Sequence, residues 1–231
     1  TSINEVLVFL IVKKIFNKPA ALIACFLTIT HPALLYYDVK YLHALGFDSL
    51  FYTLFFFLML KLLTHPKPIN AFISGTVLGI AFLQRGSLLL MPFLSIVLLY
   101  FNIKNRKKFC KLSLLFFLSF LLLIFPWMLR NYMIHDSVVI TTVMGEHFWR
   151  GNVPWSYGGS YTLDGRTVIS AAPKEFLEKL QATNREIDQH RLFLEDAFNY
   201  IMIDPLHFLK KTIKKFSFAR WWYWNSLERI G

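Results

Sequence analysis

The chain has 231 residues, 55% of them hydrophobic and 24 of them Phe, and it carries a formal charge of +11 at a mean hydropathy of +0.46. That is too apolar for an ordinary water-soluble domain and matches a polytopic membrane protein. The charge does not argue for nucleic acid, because many basic residues stand in short connections between apolar runs, where they orient helices. Cys25 lies in an apolar run and Cys110 beside a basic loop, so neither a disulfide framework nor a zinc knuckle is indicated.

In chain order, a short first run, Val6 to Val12, leads to Lys13, Lys14 and Lys18. A second, Ala20 to Tyr37, passes into a stretch containing Asp38, Lys40 and His43, whose polarity suits an interface or a loop outside the hydrocarbon. The third, Leu50 to Leu63, delivers the chain to Lys61, His65 and Lys67. Ile69 to Phe101 is apolar but interrupted by Gln84-Arg85-Gly86. At about 1.5 Å per residue it is too long for one crossing of a ~30 Å core, so two short helices meeting at the break are expected. Within it, Gly75 and Gly79 have the spacing that lets two helices approach closely. After the basic connection around Lys104 to Lys111, Leu112 to Leu129 forms another span, expected to leave the membrane at Pro126-Trp127.

Alternating spans put Lys13, Lys14, Lys18, Lys61, Lys67, Lys104, Arg106, Lys107, Lys108 and Lys111 on one side, with no Asp or Glu in those loops. By the positive-inside rule that side is cytoplasmic. Asp48, Arg85 and the region after Arg130 then face the extracytoplasmic side.

Beyond Arg130, Val138 to Val143 has the β-branched composition of a strand, and the glycines from Gly145 to Gly165 read as turns. Helices are expected from Pro173 onward and from about Leu192 to Ile203. Leu206, Leu209, Ile213 and Phe216 then line one helical face while Lys210, Lys211, Lys214 and Lys215 line another. This reads as an interfacial helix with snorkelling lysines that feeds an aromatic belt at Trp221, Trp222, Tyr223 and Trp224.

No dinucleotide, phosphate-loop, zinc-protease or nucleophile-elbow motif is present, and the seven histidines lack metal-ligand spacing. His147 beside Glu146 is at most a single ligand. The candidates are instead charges placed where charge is costly. Arg85 interrupts an apolar run, at roughly 2.5 to 3.5 kcal/mol on insertion scales unless paired or hydrated. Its paired donors match phosphate oxygens, although it could equally cap its helix. Asp48 could act as a base, bind a sugar hydroxyl or a metal, or simply favour a helix N-terminus. Arg130, after Trp127, is either a phosphate contact or an interfacial anchor. Glu146, Trp149, Arg150 and Asn152, clustered among glycines, suit stacking and hydrogen bonding to a sugar, or ordinary loop packing.

Several segments in this order carry a resemblance: HPALLYY, GFDSLFYTLFFFLML, SGTVLGIAFLQRGSLLLMP, FPWMLRNY, VITTVMGEHFWRGNVP and FNYIMIDPLHFLKKTIKKF. Together they resemble the polyprenyl-phosphate-dependent glycosyltransferases of the C-type fold, notably bacterial relatives of protein O-mannosyltransferases and of the lipid A aminoarabinose transferase. The resemblance implies an integral membrane enzyme of the bacterial inner membrane. It would pass a hexose or pentose from a polyprenyl-phosphate donor to an extracytoplasmic lipid, glycan or protein. Asp48, Arg85 and Arg130 fall at the family's acidic position, its basic position and its Pro-Trp exit, and Gly86 stands where a Pro is usual. The family's main catalytic acid lies in a first outer loop that this chain does not contain, so we read the chain as an internal stretch, inactive by itself. The resemblance fixes no cofactor, and a divalent metal is compatible with the transfer.

The expected fold is an all-α polytopic membrane protein with a small mixed or mainly helical extracytoplasmic region. Residues 1–130 would be transmembrane, 131–205 extracytoplasmic, and 206–231 an interfacial helix leading to a further membrane segment. A flippase or transporter of lipid-linked sugars and a non-catalytic membrane scaffold are the alternatives, and no nucleic-acid partner is expected.

Overall fold

The structure is a computed structural model that describes residues 2–32, 36, 45–156, 159–162 and 164–218. Asp38, Lys40, His43 and Trp221 to Trp224 lie outside the described residues. The helices are α1 (Ser2–Ile15), α2 (Lys18–Ile29), α3 (Leu45–Thr64), α4 (Pro68–Gln84), α5 (Met91–Asn102), α6 (Arg106–His135), α7 (Met144–Asn152), α8 (Lys174–Ala182), α9 (Glu186–Ile203) and α10 (Pro205–Phe218). Among the described residues the only β-pairing is an isolated bridge between Tyr161 and Thr167. The fold is all-α. The chain divides into two compact units, residues 1–133 and 134–231.

Helix starts follow local chemistry. Asn17 caps α2, its side chain accepting from the Ala20 N–H at 2.9 Å, and Pro19 sits in the first turn. Asn105 accepts from the Lys108 N–H at 3.1 Å to begin α6, and Asp204 from the His207 N–H at 2.9 Å to begin α10. Short polar side chains in these positions satisfy amides that the helix itself leaves unpaired.

In the first unit, α1 and α3 run in the same direction. Asn4 Nδ2 donates to Ser49 Oγ at 3.0 Å near their starts, and Lys14 Nζ to Thr64 Oγ1 at 2.8 Å near their ends. α4 and α6 are also parallel, because Gly75 faces Phe116 and Ser119 while Gly79 faces Phe120 and Leu123. α5 runs antiparallel to α6, with Phe93 against Phe117 and Tyr100 against Phe109, and the Arg106 guanidinium 4.1 Å from the Tyr100 ring centre. One end therefore collects Lys14, Lys61, Lys67, Lys104 and Arg106. The other holds Asn4, Asp48, Arg85 and Arg130.

Among the described residues two helices, Gly46–Thr64 and Arg106–His135, are long and apolar enough to cross a bilayer, and only 28% and 33% of their most apolar stretches are buried. Their remaining apolar surface, Phe56, Leu114, Leu118, Leu122 and Phe125 among it, faces outward as a lipid-exposed helix requires. The chain is a membrane protein.

Two local expectations fail. α6 does not stop at Pro126 but runs through it to His135, where Asp136 takes a left-handed conformation at φ 52. A proline removes one backbone donor, and an otherwise apolar helix can carry that loss. Val138 to Val143 forms no strand, since β-branched residues favour a pleated surface only where a neighbouring strand supplies one.

The α4–α6 contact is a close backbone approach: a Cβ on Gly75 would stand 2.1 Å from both the Phe116 carbonyl oxygen and Ser119 Oγ. Gly75→Ala should force these helices apart and lower stability by about 1–3 kcal/mol. Gly86→Ala, with nothing within 4 Å of the added atom, should change little. Thermal unfolding of the two variants in detergent micelles checks the contrast.

Candidate functional site

The break in the long apolar run falls at Arg85. α4 ends at Gln84, Arg85 is extended at φ −150 and ψ 110, and a short 3-10 turn, Gly86–Leu88, follows. A guanidinium is thereby thrown out at the end of an apolar helix, beside the N-terminus of α3. There Arg85 Nη1 donates to Asp48 Oδ2 at 3.0 Å, with the Asp48 side chain 6% exposed and that of Arg85 49%. The carboxylate is inside and the guanidinium is half in the open. Asp48 engages one donor of the guanidinium fork.

Further polar groups from three helix ends surround the pair. Asn4 is tied to Ser49, and the Tyr52 hydroxyl lies 3.4 Å from Ser87 Oγ. Four buried oxygens there, Asn4 Oδ1, Glu5 Oε2, Asp48 Oδ1 and Gln84 Oε1, have no hydrogen-bond partner. Buried acceptors without donors are costly, which makes this end of the unit the candidate site. Asn4 and Glu5 escaped the sequence reading. The one available signal was an acid standing immediately before the first apolar run.

Arg130 is at the same end of the unit, as the parallel α4 and α6 require. Its Nη1 donates to Asn131 Oδ1 at 3.1 Å and its guanidinium stands 5.1 Å from the Trp127 ring centre. That is the geometry of an interfacial anchor, and the side chain remains exposed.

The remaining candidates belong to the second unit and lie on α7, a helix where irregular structure was expected. Gly145 makes α7 possible at that place: a Cβ there would meet the His190 carbonyl oxygen at 2.5 Å. Trp149 is a correction. It is wholly buried, stacked on Phe176 with centroids 4.9 Å apart, and its indole N–H donates to Asp196 Oδ2 at 2.6 Å. It centres a core with Val153, Val168, Phe176, Phe193 and Ala197 and offers no face to a sugar. Glu146 and Arg150 pair with each other across one helical turn. Asn152 Nδ2 donates to the Phe148 carbonyl at 2.8 Å, and its Oδ1 accepts from Lys215 Nζ at 3.2 Å. These four residues close a helix and a core.

Lysines from α10 complete that arrangement. Lys211 Nζ donates to the Val153 carbonyl at 2.6 Å, and Lys215 reaches Asn152, so both stand at the C-terminal end of α7, where the helix dipole favours cations. Lys211 and Lys215 do not snorkel outward as the sequence suggested. Burial, and then the charge of Lys215, bring Lys211 down to about 8. No group of three His, Cys, Asp or Glu side chains stands together among the described residues, and His147 is exposed on α7 without such company.

A comparison with protein families matches residues 1–129 to the dolichyl-phosphate-mannose-protein mannosyltransferases. The chain belongs to that family. No curated protein and no solved structure matches it. The family consists of membrane glycosyltransferases that use a polyprenyl-phosphate-linked sugar, and its match covers Asp48, Arg85 and the whole parallel pair of α4 and α6 up to Leu129. Residues of the second unit fall outside the match.

Two outcomes follow for the second unit. Trp149→Ala should cost about 3–5 kcal/mol, as removal of a fully buried aromatic does, read as an earlier unfolding step in tryptophan-free regions by hydrogen exchange. Because Lys211 is harder to protonate folded than unfolded, the unfolded chain binds more protons between pH 8 and 10.5. Stability of this unit should therefore rise with pH across that window and level off above it. Lys211→Met should flatten the rise, measured as apparent Tm against pH.

Proposed function

We propose that the chain forms the donor-holding part of a glycosyltransferase that moves a hexose or pentose from a polyprenyl-phosphate carrier to an extracytoplasmic acceptor. Arg85 grips the carrier's phosphate and Asp48 aims it. The observation that carries the reading is the Asp48–Arg85 pair, half buried at the end of the bundle opposite the lysine-rich end. Lysine and arginine excess marks the cytoplasmic side, which supports a reading with this pair, Arg130 and residues 131–205 facing the far side of a bacterial plasma membrane. An acceptor lipid, glycan or protein would approach there.

The transfer is a displacement at the anomeric carbon. The acceptor oxygen forms the new glycosidic bond, its proton passes to a carboxylate, and the bond to the carrier phosphate breaks with its electron pair on the phosphate oxygen. The charge that develops on that leaving group is what a fixed guanidinium stabilises. Asp48 is held by Arg85 and buried, which favours a positioning role over that of the base. Arg130, exposed beside Trp127, adds positive field near the same surface.

Arg85→Lys tests this without stranding a buried carboxylate. The variant keeps a cation for Asp48 but loses the planar fork. In the enzyme assayed with a polyprenyl-phosphate sugar, the donor KM should rise by about tenfold or more, from the 1.5–3 kcal/mol of a charge-assisted contact, with the unfolding temperature nearly unchanged. Asp48→Asn should give a smaller rise, and little further rise in the Arg85→Lys background, as expected of a residue that acts through its neighbour. An unchanged donor KM in a folded Arg85→Lys enzyme overturns the assignment.

A further inference from the structure

Helix α10 carries Leu206, Leu209 and Ile213 at spacings of three and four, which makes one stripe along its length. All three are exposed, at 60%, 53% and 61%. On α9 Phe198 and Met202 form a second stripe, 52% and 78% exposed, and the two helices join directly at Asp204-Pro205. This unit has its own filled core around Trp149, and although Phe198 meets Phe148 with centroids 5.4 Å apart, the exposed faces of both stripes form a ridge that needs another cover.

The polar side of α10 is already committed. Lys211 and Lys215 turn toward α7, which leaves Lys210 beside Leu209 on the open side. Beyond Phe218, where α10 ends, the sequence reads Arg220-Trp221-Trp222-Tyr223-Trp224, the composition of a headgroup-level belt. The chain also crosses a bilayer through its own first unit. An apolar stripe, a flanking cation and a following aromatic run favour a lipid surface over a second protein as the cover.

We propose that Phe198, Met202, Leu206, Leu209 and Ile213 lie in the headgroup–acyl boundary of the membrane that this chain itself spans. Through Lys211 and Lys215 the seated helix then fixes the height of the C-terminal end of α7 above the bilayer.

Fluorescent labels decide the point on the full chain reconstituted in phosphatidylethanolamine–phosphatidylglycerol vesicles. In a Cys25→Ser, Cys110→Ser background, a nitrobenzoxadiazole label is placed at Leu209→Cys, at Ile213→Cys or, for α9, at Met202→Cys. Each variant is first checked for the tryptophan emission of the parent. Labels on the ridge should emit at shorter wavelength than a label at Lys210→Cys, and lose roughly half their intensity to lipids spin-labelled on the upper acyl carbons, as a helix seated 5–10 Å into the boundary predicts. Free quenching by aqueous iodide at the ridge positions overturns the proposal. So does a short-wavelength emission insensitive to the spin-labelled lipid, which signifies that protein covers the ridge. Both readings are independent of any transferase assay.

Discussion

A carboxylate with 6% of its side chain exposed, held 3.0 Å from a guanidinium that is half in the open, is the constraint around which the first unit is arranged. Neither partner is tolerable alone at the boundary of a hydrocarbon layer. An isolated arginine in a membrane helix costs roughly 2.5–3.5 kcal/mol on insertion scales, and a buried carboxylate without a partner about 3–5 kcal/mol. Together they are neutral, yet the pairing is incomplete. Asp48 Oδ1 has no donor, and a guanidinium carries five donors in a rigid fork, of which the ion pair engages one. An ion pair selected for stability alone would be closed on both sides.

The bundle supplies what the pair needs. Asp48 must be at the beginning of a helix and Arg85 at the end of another on the same side, so α3 and α4 must run in opposite directions through a tight connection, which Lys67 and Pro68 provide. The helix behind them must be close, and Gly75 with Gly79 lets α6 come to backbone contact. In lipid, where apolar side chains gain nothing by leaving their surroundings, close packing of small residues is one of the few forces that joins helices. The lysine end is held apart by the same geometry, because every connection at that end is short and basic.

What was readable in the sequence followed from single residues with strong local effects. The polar Gln84-Arg85-Gly86 within an apolar run marked a break, and the helix ends there. Pro173 marked a helix start and Ile203 a helix end, and α8 begins at Lys174 while α9 stops at Ile203. What was not readable depended on partners distant in the chain. Nothing near Asp48 announces Arg85, thirty-seven positions away, although both stood out separately. Trp149 looked like a binding aromatic because it sits among Gly, Glu and Arg. Its burial is decided by Phe176, Phe193 and Asp196, none of them visible from its neighbourhood. Val138 to Val143 failed for the complementary reason, since a strand needs an edge to pair with and none of the described residues supplies one.

The four lysines of α10 show the limit of composition most clearly. A basic, amphipathic helix before an aromatic run suggests cations pointing at headgroups, yet Lys211 and Lys215 point at a carbonyl and an amide of their own unit. Burial makes that arrangement costly for Lys211, whose ammonium is driven down to about 8, and the negative end of α7 offsets part of the cost. The consequence is that the apolar stripe and the inward lysines belong to one device. Trp149 seats α7 in the core of the unit, and Lys211 and Lys215 tie the C-terminal end of α7 to the helix that carries Leu209 and Ile213.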